Sequence, residues 1–515
     1  LKAWIFDEKT RTAAIIDMPD EEHKLNESGQ GRHSLSLKFL LFVLVAAALG
    51  TVALAGWKEA LSKYLETEAP LISVVDMPRG IGLTPVSMKF ELRDGGAGLD
   101  EVVVRTHQKG ITKEILRRRL HGQFSALVNI EFPGARSDLE EGIADIDVKA
   151  FDRSFWSNSG QKIFPIKIDY RRPKLEVLTS QHNARHGGSQ LIFYRAIDED
   201  LALSGVKVGG ETFLGYPARG LDREFEDPSL FVAIYALDLR VPASSVAPHL
   251  FAEDRVGNAA ALSFYNKVHP RAPRPVTLTL SEGFVGEVVP RLAEESMPRL
   301  RDLSRQGGED LEFKTPRGTD ERLVEEFDMV NKNLRRLNDY EVMALLKGPR
   351  FEAYWKQAFL MPAGGVQLAF GDKLTFMWGG RSLGQTLLSG YEISAAGFGR
   401  EVLAANDGIV VFSENLGVYG RMVGIDHGLG LVSLYGHLEQ AFVHKGEVVT
   451  RGQRIAKAGN TGFSRGTNLY YEMRVHGIPV DPVEWWDEGW FYAHVTSKIN
   501  DVKKVLGIPV YKPLP

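Results

Sequence analysis

The sequence predicts a mainly β, multi-domain protein: an N-terminal transmembrane helix, two tandem β-sandwiches, a helical connector and a C-terminal all-β domain. Three observations lead there. An uncharged apolar run lies near the amino terminus, alternating runs broken by Gly- and Asp-containing turns follow it, and the last part is dense in glycine and short β-type runs. At 515 residues the chain is too long for one compact core, because a domain holds about 100 to 200 residues.

Composition narrows the function classes. The hydrophobic fraction of 44% and charged fraction of 25% are those of a folded globular protein. The 62 Lys and Arg against 66 Asp and Glu leave a formal charge of -4, so no global basic field draws in phosphate backbones and nucleic acid is not an expected partner. Cysteine is absent, which removes disulfides, thiolate ligands and thiol nucleophiles together; any zinc would be held by His, Asp or Glu.

Phe39 to Trp57 reads FLLFVLVAAALGTVALAGW without a charge. About 19 residues make about 29 Å of helix, close to the hydrocarbon thickness of a bilayer. A retained span over 39–57 is therefore expected, with residues 1–38 as a cytoplasmic tail whose acidic Asp20-Glu-Glu22 is solvated. The competing readings are a cleaved signal peptide and a buried core helix. The run exceeds the about 7 to 15 apolar residues of a signal core, and a charged segment precedes it. Arg32 and Lys38 before the span are balanced by Lys58 and Lys63 after it, so orientation must come from the domains.

From about Leu71 to Tyr170, runs such as Val86-Ser-Met-Lys-Phe-Glu-Leu92 and Phe164-Pro-Ile-Lys-Ile-Asp-Tyr170 alternate with the period of strands. A similar block covers about Lys174 to Lys267. Ala150-Phe-Asp-Arg153 answers Ala252-Glu-Asp-Arg255, and Glu101-Val-Val-Val104 answers Gly205-Val-Lys-Val208. These repeats read as two immunoglobulin-like sandwiches, 71–172 and 174–272. They serve either as a binding surface or as a stalk that sets distance from the membrane.

Pro270, Pro273 and Pro275 make a stiff break, after which the pattern turns helical over a connector, 276–360. Between Thr319 and Asp339, Leu323, Phe327, Val330, Leu334 and Leu337 recur at steps of three and four and share one helix face. That face either packs on the adjacent domain or is offered to a partner.

The C-terminal domain, 362–490, carries β-type runs such as Gly408-Ile-Val-Val-Phe412 and Tyr471-Glu-Met-Arg-Val475. Its landmarks run in order: Ala404-Ala-Asn-Asp-Gly408, Ile425-Asp-His-Gly428, Tyr435-Gly-His-Leu438, Gly459-Asn-Thr-Gly462 and Pro479-Val-Asp-Pro482. Together they closely resemble the lysostaphin-type (LytM) zinc metallopeptidases, over about the last 150 residues. The resemblance implies a catalytic zinc held by the His and Asp of a His-x-Gly-x-Asp segment and the second His of a His-x-His segment, acting on peptides of bacterial peptidoglycan.

At the first segment this chain reads Leu388-Ser-Gly-Tyr-Glu392, and at the second Asn468-Leu-Tyr470. Leucine has no lone pair, and a phenol with a pKa near about 10 is a poor neutral-pH ligand. Glu392 alone keeps metal-binding chemistry among the ligand positions, and His437 alone keeps a catalytic identity. His427, His444 and His476 are further donors in the domain, and framework roles explain them. The expectation is a degenerate member with no metal and no cofactor, zinc belonging to its active relatives. Leu388, Glu392, His437, Asn468 and Tyr470 are then candidates for a binding groove.

The apolar run and the resemblance together imply a membrane-anchored, non-catalytic LytM-domain protein of the bacterial envelope. It would sit in the inner membrane by one helix, with a large periplasmic part that binds peptidoglycan or regulates a cell-wall hydrolase. The alternatives are an active zinc endopeptidase with rearranged ligands and a structural tether.

Overall fold

A computed structural model describes residues 4–6, 13–15, 34–307, 319–346, 348, 350–395 and 400–510. Most of the tail expected over 1–38 lies outside them. The described chain is mainly β and forms two compact units, one drawn from residues up to Asp76 with Met88–Ile130 and Asp145–Phe164, the other from Met77–Ser87, Glu131–Ala144 and Pro165 onward.

The first unit opens on an antiparallel pairing of Trp4–Phe6 with Ala13–Ile15 and carries one helix, Ser34–Tyr64, whose Leu41–Tyr64 stretch is long and apolar enough to cross a membrane. Its apolar residues are exposed: Phe42, Val52 and Leu54 are each about 70% exposed. Two sheets follow. One pairs Leu71–Asp76, Val86–Arg93 and Ser125–Phe132; the other contains Leu99–Gln108, Ile111–Gln123, Gly142–Asp152 and Ser159–Ile168. Period-two alternation sends Met88, Phe90, Leu92, Ala126, Val128 and Ile130 inward.

The second unit opens with two four-stranded sheets. One orders Lys174–Val177, Ser189–Ile197, Leu230–Ala236 and Tyr216–Pro217; the other orders Glu211–Leu214, Leu201–Val208, His249–Asp254 and Ala259–Ser263. The repeat seen in sequence has a structural purpose. Asp152 accepts hydrogen bonds from Ser154 and from the Asn158 amide, and Asp254 accepts from Val256 and Asn258 in the same way. Strand register refines the correspondence: Leu99 pairs with Asp152 and Leu201 with Asp254. Glu101 to Val104 therefore answer Leu203 to Val206, two residues earlier than the sequence match. A shift of two keeps every side chain on its own face, so the pattern alone could not detect it.

The connector is not helical from its first residue. Pro275–Thr279, with β-branched Val276 and Thr277, is a strand lying parallel to Lys373–Trp378. Helix then fills Val289–Gly307, and Thr319–Asp328 continues through a π-helical turn, Met329–Leu334, into Arg335–Leu345. The C-terminal sheet orders Gly365–Leu368, Tyr391–Ser394, Asn468–Val475, Leu431–Ala441, Arg421–Asp426, Gly408–Asn415 and Val448–Val449.

Glu484 ties this domain to the second sandwich. Its buried carboxylate accepts from the Ser189 N–H at 2.7 Å and the Ser189 hydroxyl at 3.1 Å. Burial pushes its pKa from the ordinary 4.5 up to about 8, with Asp481 adding to the rise. A carboxyl raised on folding contributes stability that is present below pH 4.5 and is lost as pH rises through 8. Urea midpoints of wild type and Glu484→Gln at pH 5 and pH 8.5 are expected to diverge in favour of the variant at the higher pH, by on the order of 3 kcal/mol. A gap that does not change with pH rejects the raised value.

Candidate functional site

Two neighbouring antiparallel strands place the candidate residues. Glu392 lies directly opposite Tyr470, and Ser394 opposite Asn468; Tyr470 in turn faces Gly436 on the next strand, which puts His437 at its side. Leu388 is fixed just before its strand, its N–H donating to Asp372 at 3.0 Å. The structure brings Leu388, Glu392, His437 and Tyr470 around one cavity of about 20 Å³, room for about one water. Asn468 does not line it; its side-chain oxygen accepts from Ser464 Oγ at 3.0 Å.

Each side chain is already engaged. Glu392 pairs with Arg465 at 3.1 Å. The Tyr470 hydroxyl donates to Glu472 at 2.6 Å, and burial together with the Glu472 charge raises its pKa well above the ordinary value. His437 has a left-handed backbone, φ 60°, and its Nδ1–H donates to the Thr461 carbonyl at 2.9 Å. Burial lowers its pKa, against a smaller opposing pull from Glu392, so the ring is neutral near pH 7.

Arg335, which the sequence reading did not single out, lines the same cavity. Its guanidinium stacks on Phe463 at 4.9 Å, and its Nε donates to Asn331 at 3.1 Å. A guanidinium stays cationic in proteins, so a fixed positive charge lines the cavity and opposes a dication there.

The connector helix carries it there. Phe327, Val330, Leu334 and Leu337 pack into one core with Leu388, Val418, Phe463 and Tyr470. Asn338 accepts from the Val418 N–H at 2.9 Å, and Asp339 pairs with Arg474 at 2.6 Å. The helix face thus packs on the adjacent domain, the first of its two expected uses. No short motif signals Arg335 as part of this cavity, because the other residues that line it lie far along the chain. Glu472 and Arg474 do leave a signal, two charges inside an otherwise apolar strand.

The other histidines lie elsewhere. His427 is held between the Asp407 carbonyl and Ser433, both at 2.7 Å, exposed His444 pairs with Glu447 at 3.0 Å, and His476 stacks on Tyr216 with centroids 5.7 Å apart. None lines the cavity.

Residues 387–482 match the model of peptidase family M23. The C-terminal domain is an M23 domain. It is 35% identical over 143 residues to the murein hydrolase activator EnvC of Escherichia coli, covering 27% of this chain and 30% of that protein. It is 42% identical over 86 residues to the peptidoglycan DD-endopeptidase ShyA of Vibrio cholerae, covering 17% and 20%. Over 92 residues it is 42% identical to an NlpD/LppB lipoprotein homologue of Pseudomonas aeruginosa, covering 18% and 31%. The chain thus spans less than a third of the length of these curated relatives. An M23 zinc needs three donors in tetrahedral directions. One leucine, one carboxylate already paired with arginine, one phenol donating its proton and a nearby guanidinium do not fit that ion.

Proposed function

We propose that this chain is a non-catalytic M23 protein of the bacterial cell envelope that acts by binding peptidoglycan or by regulating a cell-wall hydrolase. The observation that carries this reading is the cavity between Glu392 and Tyr470, where ion pairing, hydrogen bonding and the Arg335 charge replace metal ligation. A relative named as a murein hydrolase activator supports the regulatory side.

The apolar helix supports an anchor in the inner membrane, with residues 71–172, 174–272, 276–360 and 362–490 as successive periplasmic parts. In this reading Leu388, Glu392, His437 and Tyr470 fill the position that a metal would take, with Asn468 engaged beside it, and binding falls to the surface around them.

The test uses purified cell walls. The chain from Lys58 onward, with or without zinc, is expected to release no soluble muropeptides by itself and to raise the release produced by a purified envelope amidase. Muropeptide release by the chain alone, abolished by His437→Ala, would instead establish the active endopeptidase.

A further inference from the structure

We propose that the end of the first sandwich formed by Phe124, Phe155 and Trp156 seats on the headgroup layer of the bilayer that the Phe39–Trp57 helix spans. This rests on the membrane anchor proposed above and adds a second, peripheral contact to it.

Pairing places these aromatics together. Leu99 faces both Gln123 and Asp152 across neighbouring strands, the Asp94 N–H donates to the Phe124 carbonyl at 2.9 Å, and the Arg153 N–H donates to Gly98 at 2.8 Å. Phe124 and the Phe155-Trp156 loop therefore share one end of the sandwich. Phe124 is 56% exposed and Phe155 and Trp156 are each 59% exposed. In the same sandwich Phe90 is fully buried, so the fold has room for aromatics inside and keeps these three out.

That end is also where the helix arrives, and the junction is tied rather than loose. The Phe155 N–H donates to the Tyr64 carbonyl at 2.7 Å, and the two rings meet edge to face at 6.0 Å. Asn158 donates to the Glu66 carbonyl at 3.0 Å, while the Ala97 N–H donates to the Glu66 carboxylate. The second sandwich holds its own incoming segment alike, Asn258 donating to the Asp169 and Arg171 carbonyls.

Depth follows from helix geometry. Tyr64 lies seven residues beyond Trp57, about 10 Å along the axis and less along the bilayer normal when the helix tilts. The headgroup layer outside the hydrocarbon is about 5 to 7 Å thick. The Tyr64 junction thus lies about 3 to 5 Å outside that layer, a gap no longer than a Phe or Trp side chain, so the aromatic rings of this end come within reach of the interface where such rings are favoured. A protein partner would have to enter the same layer to cover it, which is why the bilayer is the occupant.

Because the chain has no cysteine, single cysteines report without background. The chain carrying an environment-sensitive fluorophore at Ser125→Cys, Ile111→Cys or Leu49→Cys is reconstituted into phosphatidylethanolamine and phosphatidylglycerol vesicles containing headgroup-spin-labelled lipid for the first two labels and mid-acyl-chain-spin-labelled lipid for Leu49. Ser125 adjoins Phe124, and Ile111 begins the strand that ends at Gln123, about 40 Å away. Leu49 lies within the span. The expected result is loss of emission at Ser125 and Leu49 and none at Ile111. Loss at Leu49 with Ser125 as bright as Ile111 overturns the seat and leaves the anchor intact. No loss at Leu49 overturns the anchor and the seat together. Self-quenching between Ser125 labels without lipid quenching gives the surface to a second copy, and the seat is again rejected.

Discussion

Arg474→Ala is expected to lower the free energy of unfolding by about 3 to 5 kcal/mol, the range for removing one side of a buried charge pair. Arg474 is fully buried and donates to Glu472 at 2.5 Å and to the Gly477 carbonyl at 3.2 Å. It also pairs with Asp339 on the connector helix at 2.6 Å, and Asp339 reaches Arg240 of the second sandwich at 2.9 Å. Removing the guanidinium leaves Glu472 without its buried partner and removes one of the polar ties between the helix and the M23 domain. Replacing both partners with Met should recover most of the loss, since a well-packed apolar pair carries no uncompensated charge. Urea unfolding of wild type, R474A and the double variant reads this directly. A loss below about 1 kcal/mol in R474A would show that the pair behaves as a solvated one.

Zinc retention is expected to switch on only when the cavity is rebuilt. The wild-type chain, incubated with zinc and washed exhaustively, should hold none. A variant combining Leu388→His, Glu392→Asp and Tyr470→His with Arg335→Ala should hold about one equivalent, because three donors then face one open position. Arg335→Ala belongs in the set because its charge opposes a dication across a cavity lined by both. Metal analysis with circular dichroism, to verify folding, reads the result. About one equivalent bound to the wild type would overturn the non-catalytic reading.

Much of this was legible before the fold. The apolar span is a property of consecutive residues, and so is the alternation that turns Met88, Phe90 and Leu92 inward. The M23 resemblance rests on short ordered motifs, so the loss of ligand chemistry at Leu388 and Tyr470 could be read from side-chain identity alone. The repeat register was read two residues away from the strand pairing, because a two-residue slip preserves the facing of every side chain. The strand at Pro275–Thr279 was missed because its partner, Lys373–Trp378, lies far along the chain.

The sequence by itself determined which chemistry the groove lacks, where a membrane could be crossed and which helix face is apolar. Tertiary structure alone decided what surrounds that position: Arg335 lining one cavity with Glu392 and Tyr470, Arg474 joined to Asp339, and three aromatics gathered where the apolar helix arrives. The physical reason is range. Hydropathy, periodicity and ligand identity are carried by neighbours in the chain, whereas a cavity, a buried charge network and a surface patch exist only once distant segments share the same few ångströms.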